Sequence, residues 1–318
     1  MRNAVAASGG IVLRRRSFFT DVRKNLFSYL LVLPAALYTL IFGYLTLPYI
    51  LMAFEKYNFK LGLLGSPFVG LKNFLFFFQS NRAALITWNT IYLNIIFLVT
   101  GTVASILLAL MLNEIRNRIY LKTTQSVLLF PHFLSWVIVQ YVVFALLSSE
   151  FGWLNSIFAA IGWQKVSLYS DADAWPLLLA VIRIWKGVGM SSVIYMAAIA
   201  GMDEGLFEAA TIDGANKIQQ ILHITLPLLA PTICILTLLS VGKIFYGDFQ
   251  MIYALVGDNG VLLQRTDVID TYVYRALRQT GDPSAAMAVG LYQALVGFIM
   301  VYGSNRLVRR FFPEGAMF

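Results

Sequence analysis

The sequence predicts an all-α membrane protein that crosses the bilayer six times. Three observations carry this expectation. Only 13% of the 318 residues are charged while 59% are hydrophobic, against about 25% charged in soluble domains. That much apolar surface exceeds what a soluble core can hide, and lipid is the solvent that covers it. The apolar residues also gather into six stretches, while many basic residues gather at the two ends and in one short loop.

Taken in order, the expected spans are 26–54, 88–113, 124–147, 175–200, 228–256 and 285–307. They form one six-span transmembrane body over 26–310, between an N-terminal tail 1–25 and a C-terminal tail 311–318. About 24 residues at 1.5 Å each reach roughly 36 Å, enough for a tilted crossing of the hydrocarbon core. The first stretch is too long for a signal-peptide core and is read as a retained span. Pro34 and Pro131 lie inside spans, where a kink is open from sequence alone. Six Lys and Arg precede the first span, and Arg116, Arg118 and Lys122 crowd the loop 114–123. Basic loops stay inside, so both termini are expected in the cytoplasm. On the opposite side, Phe74–Phe78 suggests an interfacial helix over 71–80, and Trp153, Trp163 and Trp175 suggest an aromatic belt.

Several chemistries are disfavoured. Cys234 is the single cysteine, which excludes an intrachain disulfide. His132 and His223 have no carboxylate or second histidine at ligand spacing, and no phosphate-binding loop occurs. Metal binding, acid–base catalysis and nucleotide binding within this chain are therefore not expected. The basic clusters suit retention on an anionic membrane face rather than nucleic-acid binding.

The cytoplasmic loop 201–227 breaks the charge trend, with Lys217 set against Asp203, Glu204, Glu208 and Asp213. Its residues propose two short helices. One runs from Glu204 to Ile212 with Phe207 and Ala210 packed; Gly214 ends it, Asn216 caps a second through His223, and Pro227 marks the turn into the membrane. Such an element is rigid enough to transmit force.

Glu208-Ala209-Ala210, Asp213-Gly214-Ala215 and Leu226-Pro227, at this spacing between spans four and five, resemble the cytoplasmic signature of binding-protein-dependent ABC importer permeases. The likeness is strongest to sugar permeases of the maltose and glycerol-phosphate type, and to the group handling polysaccharide fragments such as alginate. Leu33-Pro34 and Val69-Gly70-Leu71-Lys72-Asn73-Phe74 fit that group as well. The resemblance implies a type I importer permease fold in a bacterial inner membrane. It implies a second permease subunit, two cytoplasmic ATPase subunits that hold ATP and Mg, and an extracytoplasmic solute-binding protein. Glu208 would contact a basic residue of the ATPase, Gly214 would shape the bend, and this chain would carry no cofactor.

Charges within a span normally face a cavity or a partner. Arg183 and Lys186 share a helical face by spacing, as do Lys243, Tyr246 and Gln250, with Asp248 nearby. These six residues are candidates to border a translocation path for an oligosaccharide, for which the basic excess favours acidic groups. An internal network pairing Lys243 or Lys186 with Asp248 is the competing reading. A neutral oligosaccharide, a glycerol-phosphate-type solute, and a secondary transporter or channel remain open alternatives.

Overall fold

A computed structural model describes residues 23–311, so the tails 1–22 and 312–318 lie outside the described residues. Among those described, the secondary structure is helical apart from one isolated bridge between Glu55 and Phe68. The chain divides into two compact units, one up to Leu51 and one from Met52.

In the first unit, α1 (Leu26–Thr39) carries Pro34 inside it and runs on into a π-helical turn, Leu40–Tyr44. Pro34 therefore does not end the helix. Leu30, Leu37, Ile41 and Phe42 are exposed around it, as expected of a segment whose solvent is lipid.

The second unit holds the remaining helices. A turn at α2 (Gly62–Gly65) precedes α3 (Lys72–Gln79) and the long α4 (Asn81–Asn113). Then follow α5 (Arg118–Leu129), α6 (Trp136–Leu147), α7 (Trp153–Ala160) and α8 (Trp175–Ala200). The short α9 (Glu204–Ile212) and α10 (Lys217–Gln220) lead into α11 (Leu226–Val241). Last come α12 (Phe249–Val256), α13 (Leu263–Thr266), α14 (Ile269–Arg278) and α15 (Pro283–Phe311). Five helical stretches of the described chain are long and apolar enough to cross a membrane, and a bent pair brings the total to six.

Packing is built on α4 and α8. Leu93 and Phe97 of α4 meet Trp175 and Leu179 of α8 together with Met251, Ile252 and Leu255 of α12. Further along α4 and α8, Ala109 meets Tyr195 and Ile199, joined by Leu229 of α11. The other face of α4 presents Ile95, Val99, Val103 and Leu107, all exposed. A helix that turns apolar side chains outward as well as toward its core suits lipid on that outward face.

Two expected spans are broken. Residues 118–133 and 136–147 meet at an angle of 98° instead of forming one helix. Pro131 sits in a 3-10 turn, Phe130–Phe133, and Ser135 restarts the chain by accepting from the Ile138 amide. Gly189 of α8 is pressed against this corner, and a Cβ there would lie 2.2 Å from the Leu128 carbonyl oxygen. The fifth span stops at Val241, opens over 242–248 and resumes as α12. Pro227 makes no turn, because the helical path from Lys217 to Val241 is continuous. A π-helical turn at Ile221–Thr225 absorbs the missing proline donor, with the Leu226 amide reaching back to Ile221.

Two interfacial expectations change. Trp175 is not a belt residue: it is fully buried, and its indole N–H donates to the Leu168 carbonyl at 2.8 Å. The helix expected over 71–80 forms as α3, but Phe77 is buried against Ile86, Ile269 and Val289. Docking on that core, rather than lipid alone, fixes it.

Candidate functional site

A cleft of about 660 Å³ lies where α4, α8 and the broken fifth span meet. Its wall is unusually polar for a membrane segment. Thr102 and Ser105 come from α4, Arg183 and Ser191 from α8, and Lys243, Tyr246, Asp248 and Gln250 from the break and the start of α12.

The break creates this wall. Over 242–248 the amides of Lys243, Ile244 and Tyr246 bond three residues back, which winds the chain tightly and ends the α-helical ladder. The freed carbonyls would be costly in lipid, so side chains take them up. Asn94 of α4 donates to Ile244 O at 3.0 Å and to Tyr246 O at 3.2 Å. Gln293 of α15 donates to Phe245 O at 2.6 Å. The Gly247 amide donates to Asp270 at 2.5 Å, and a Cβ on Gly247 would meet Val268 at 2.7 Å. Glycine is thus required for this close approach.

Asp248 has two roles. One carboxylate oxygen caps α12 by accepting from the Met251 amide at 3.2 Å. The other faces Arg183, 3.8 Å from its guanidinium, which also lies over the Phe97 ring at 4.9 Å. Arg183 is therefore held by packing as well as charge, and both partners stay partly solvated. Lys243 is exposed to the cleft and makes neither ion pair nor cation–π contact among those found in the described residues. The cleft carries Arg183 and Lys243 against one carboxylate, an excess of positive charge.

Lys186 is elsewhere. It sits on the side of α8 facing the 98° corner, where its ammonium donates to the His132 carbonyl at 2.8 Å and lies 5.0 Å from the Trp136 ring. Although i and i+3 lie about 60° apart on one helix face, the two long side chains end on different partners, Arg183 in the cleft and Lys186 at the corner. The ion pair also differs from the expected one, as Asp248 meets Arg183 rather than Lys243 or Lys186. Lys243, Tyr246 and Gln250 do come together, through the break rather than through a helical face.

A second cleft, of about 940 Å³, lies between the end of α4 and the α9–α10 element. Asp203 caps α9 through the Gly205 amide. Glu208 and Ala209 are exposed on α9, Ala210 is half-buried, and Asp213 ends the helix. Gly214 takes a φ of 83°, and Asn216 and Gln219 exchange hydrogen bonds as a capping box. Buried Gln220 then staples the two helices, donating to Thr211 Oγ1 at 2.9 Å and to Ala215 O at 3.4 Å. Glu208 lines this second cleft with Glu114, Arg116 and Lys217, while Pro227 lies in the next helix.

The description "binding-protein-dependent transport system inner membrane component" matches residues 101–312, about two thirds of the chain. The chain belongs to this family. This permease is 36% identical over 302 residues to the polygalacturonan/rhamnogalacturonan transport system permease protein YteP of Bacillus subtilis (strain 168), covering 95% of this chain and 94% of that one. Its fold matches the crystal structure of a bacterial ABC transporter involved in the import of the acidic polysaccharide alginate. There the TM-score is 0.84 at 32% identity, over 92% of this chain and 98% of the other. A second structure, the alginate transporter in complex with an alginate pentasaccharide-bound periplasmic protein, matches with a TM-score of 0.83 at 32% identity, over 93% and 98%. The permease is accordingly a multi-pass membrane transport subunit of the ABC importer type, not an enzyme.

Sequence reasoning missed Gln220, Gln293 and Asp270. Gln220 looks like an ordinary surface residue of a short helix, and Gln293 and Asp270 gain meaning only from a break whose position no periodicity marks.

Proposed function

We propose that this permease forms half of the pore of an ATP-driven importer that admits acidic oligosaccharides to a bacterial cytoplasm. One observation carries the reading: a hydroxyl- and amide-lined cleft within apolar helices, holding Arg183 and Lys243 against Asp248. Hydroxyls of a saccharide need such donors and acceptors, and the surplus cation suits a uronate carboxylate. Carboxylates are the chemistry shared by alginate and polygalacturonan, the cargoes named for its relatives. In this reading a second permease completes the pore and a soluble binding protein delivers the sugar to the outer face. Both termini and the α9–α10 element face the cytoplasm of the inner-membrane complex. Glu208, Ala209, Ala210, Asp213, Gly214 and Ala215 dock on an ATPase subunit, and Pro227 leads back into the span. ATP and Mg are bound by the two ATPases, and this chain carries no cofactor of its own.

Reconstitution with the ATPase, partner permease and binding protein tests this. An alginate pentasaccharide should stimulate ATP hydrolysis and enter proteoliposomes more readily than a neutral oligosaccharide of equal length. Lys243→Gln should reduce that preference. Uptake by this chain without any ATPase would overturn the reading in favour of a secondary transporter or channel.

A further inference from the structure

Beyond the break, one side of α12 is spent on the core: Met251, Ile252, Leu255 and Val256 are all buried. The other side carries a set of rings that this core does not use. Phe249 lines the cleft, and its ring stacks on Tyr253 one turn later, with centroids 5.3 Å apart and planes 13° apart. Tyr274 of α14 completes the set, 5.1 Å from Phe249 and 4.7 Å from Tyr253. All three rings are half-buried. Tyr246, on the cleft side of Asp248, is 44% exposed and extends the series inward.

The series runs away from the α9–α10 element. The segment following α12 is tied near the start of α4, where Asn89 donates to Gln264 O at 3.2 Å, and to the 148–174 loop, where Asn259 donates to Tyr169 O at 3.0 Å. The α9–α10 element instead meets the opposite end of α4, where Lys217 lies 3.6 Å from Glu114. The rings thus lead from Phe249 at the cleft wall toward the side that faces outward in the proposed orientation. Gln279 and Asp258, bonded at 2.9 Å, supply a polar margin beside them.

We propose that Phe249, Tyr253 and Tyr274 form a second carbohydrate subsite, an aromatic track at the outer mouth of the cleft. A pyranose presents an apolar C–H face that lies on an aromatic ring while its hydroxyls stay at the polar edge. Tyrosine suits this, with a broad apolar face and a wet tip. Adjacent rings of similar affinity let a chain advance from one to the next without a deep trap. An oligosaccharide long enough to touch track and cleft together gains from the linkage between its rings. The inference rests on the carbohydrate reading above and adds a site to it.

The test uses the complete importer in proteoliposomes, with alginate pentasaccharide loaded on the binding protein at saturation. Tyr253→Leu should lower the uptake rate per assembled importer about tenfold, while Tyr253→Phe, which keeps the ring, stays within about twofold of the parent. Tyr253→Trp enlarges the ring face and should retain uptake. If Tyr253→Leu fails to assemble, Tyr274→Leu is measured against Tyr274→Phe with the same expectation. Leucine variants transporting like their phenylalanine counterparts would overturn the track, including the case where the rings only anchor the chain in lipid. Failure of the parent importer to take up the pentasaccharide would instead overturn the function proposed above.

Discussion

The Asn94 side-chain amide bridges the carbonyls of Ile244 and Tyr246, at 3.0 and 3.2 Å, across 150 residues of chain. One side chain in α4 thereby closes the hydrogen-bond ladder that the broken span leaves open. Asn94→Leu keeps a similar volume but removes the donor, and unsatisfied carbonyls near the cleft should cost about 1–3 kcal/mol. Thermal unfolding of the purified permease in detergent should show the loss. An unchanged midpoint would mean that water already serves those carbonyls.

Gly189 is where α8 meets the corner of the third span, and a Cβ there would lie 2.2 Å from Leu128 O. Backbone cannot swing aside as a side-chain tip can, so Gly189→Ala should cost about 1–3 kcal/mol through forced displacement. Gly187→Ala is the control, because nothing lies within 4 Å of a Cβ at that position. Equal folded yields for the two variants would contradict the close contact.

Gln220 is 4% exposed and joins α9 to α10 through Thr211 and Ala215. Gln220→Leu leaves Gly214 and the Asn216 cap in place but cuts the staple. Amide exchange across 204–216 should accelerate by roughly five- to tenfold, the equivalent of about one net hydrogen bond. Exchange confined to its original rate would show that the capping box alone holds the element.

Asp270 lies outside the spanning segments, at the head of α14, and accepts from the Gly247 amide and from Gln293. Burial holds its carboxyl above the ordinary value of 3.8, outweighing the hydrogen bonds from Gly247, Gln293 and its own backbone that pull it down. The folded chain therefore binds this proton more tightly than the unfolded chain does. Its contribution to stability is fully present below the ordinary carboxylate value and falls as pH rises through the raised one. Asp270→Asn keeps an oxygen for both donors, so the difference in melting temperature between parent and variant should shift in favour of the variant as pH rises. A difference independent of pH would remove Asp270 as the source.

The sequence made the membrane class, the positions of the apolar stretches and the local form of α9–α10 legible, because each depends on residues close together in the chain. Gly214 and Asn216 are examples, since a positive φ and an N-cap are local demands. The breaks were not legible. Pro131 turned the chain while Pro34 and Pro231 stayed inside helices, and what distinguishes Pro131 is Lys186 and Gly189, more than 50 residues away. The cleft was half legible: Lys243, Tyr246 and Gln250 were found by spacing, yet the geometry that unites them is a non-helical segment. Lys186 was misplaced because helical spacing sets the direction of a Cα–Cβ bond, not the destination of a four-carbon side chain.

Among spans that bend, unwind or switch to π-helical turns, α8 runs unbroken for 26 residues, with its proline confined to the first turn. At 1.5 Å per residue it is a strut about 39 Å long. Trp175 moors one end in the core, and α9 follows the other after three residues. Arg183 projects into the cleft from this strut, and Lys186 and Gly189 clasp the neighbouring corner. The helix that carries Arg183 to Asp248 therefore runs straight to within three residues of α9, so the cleft and the α9–α10 element share one long support.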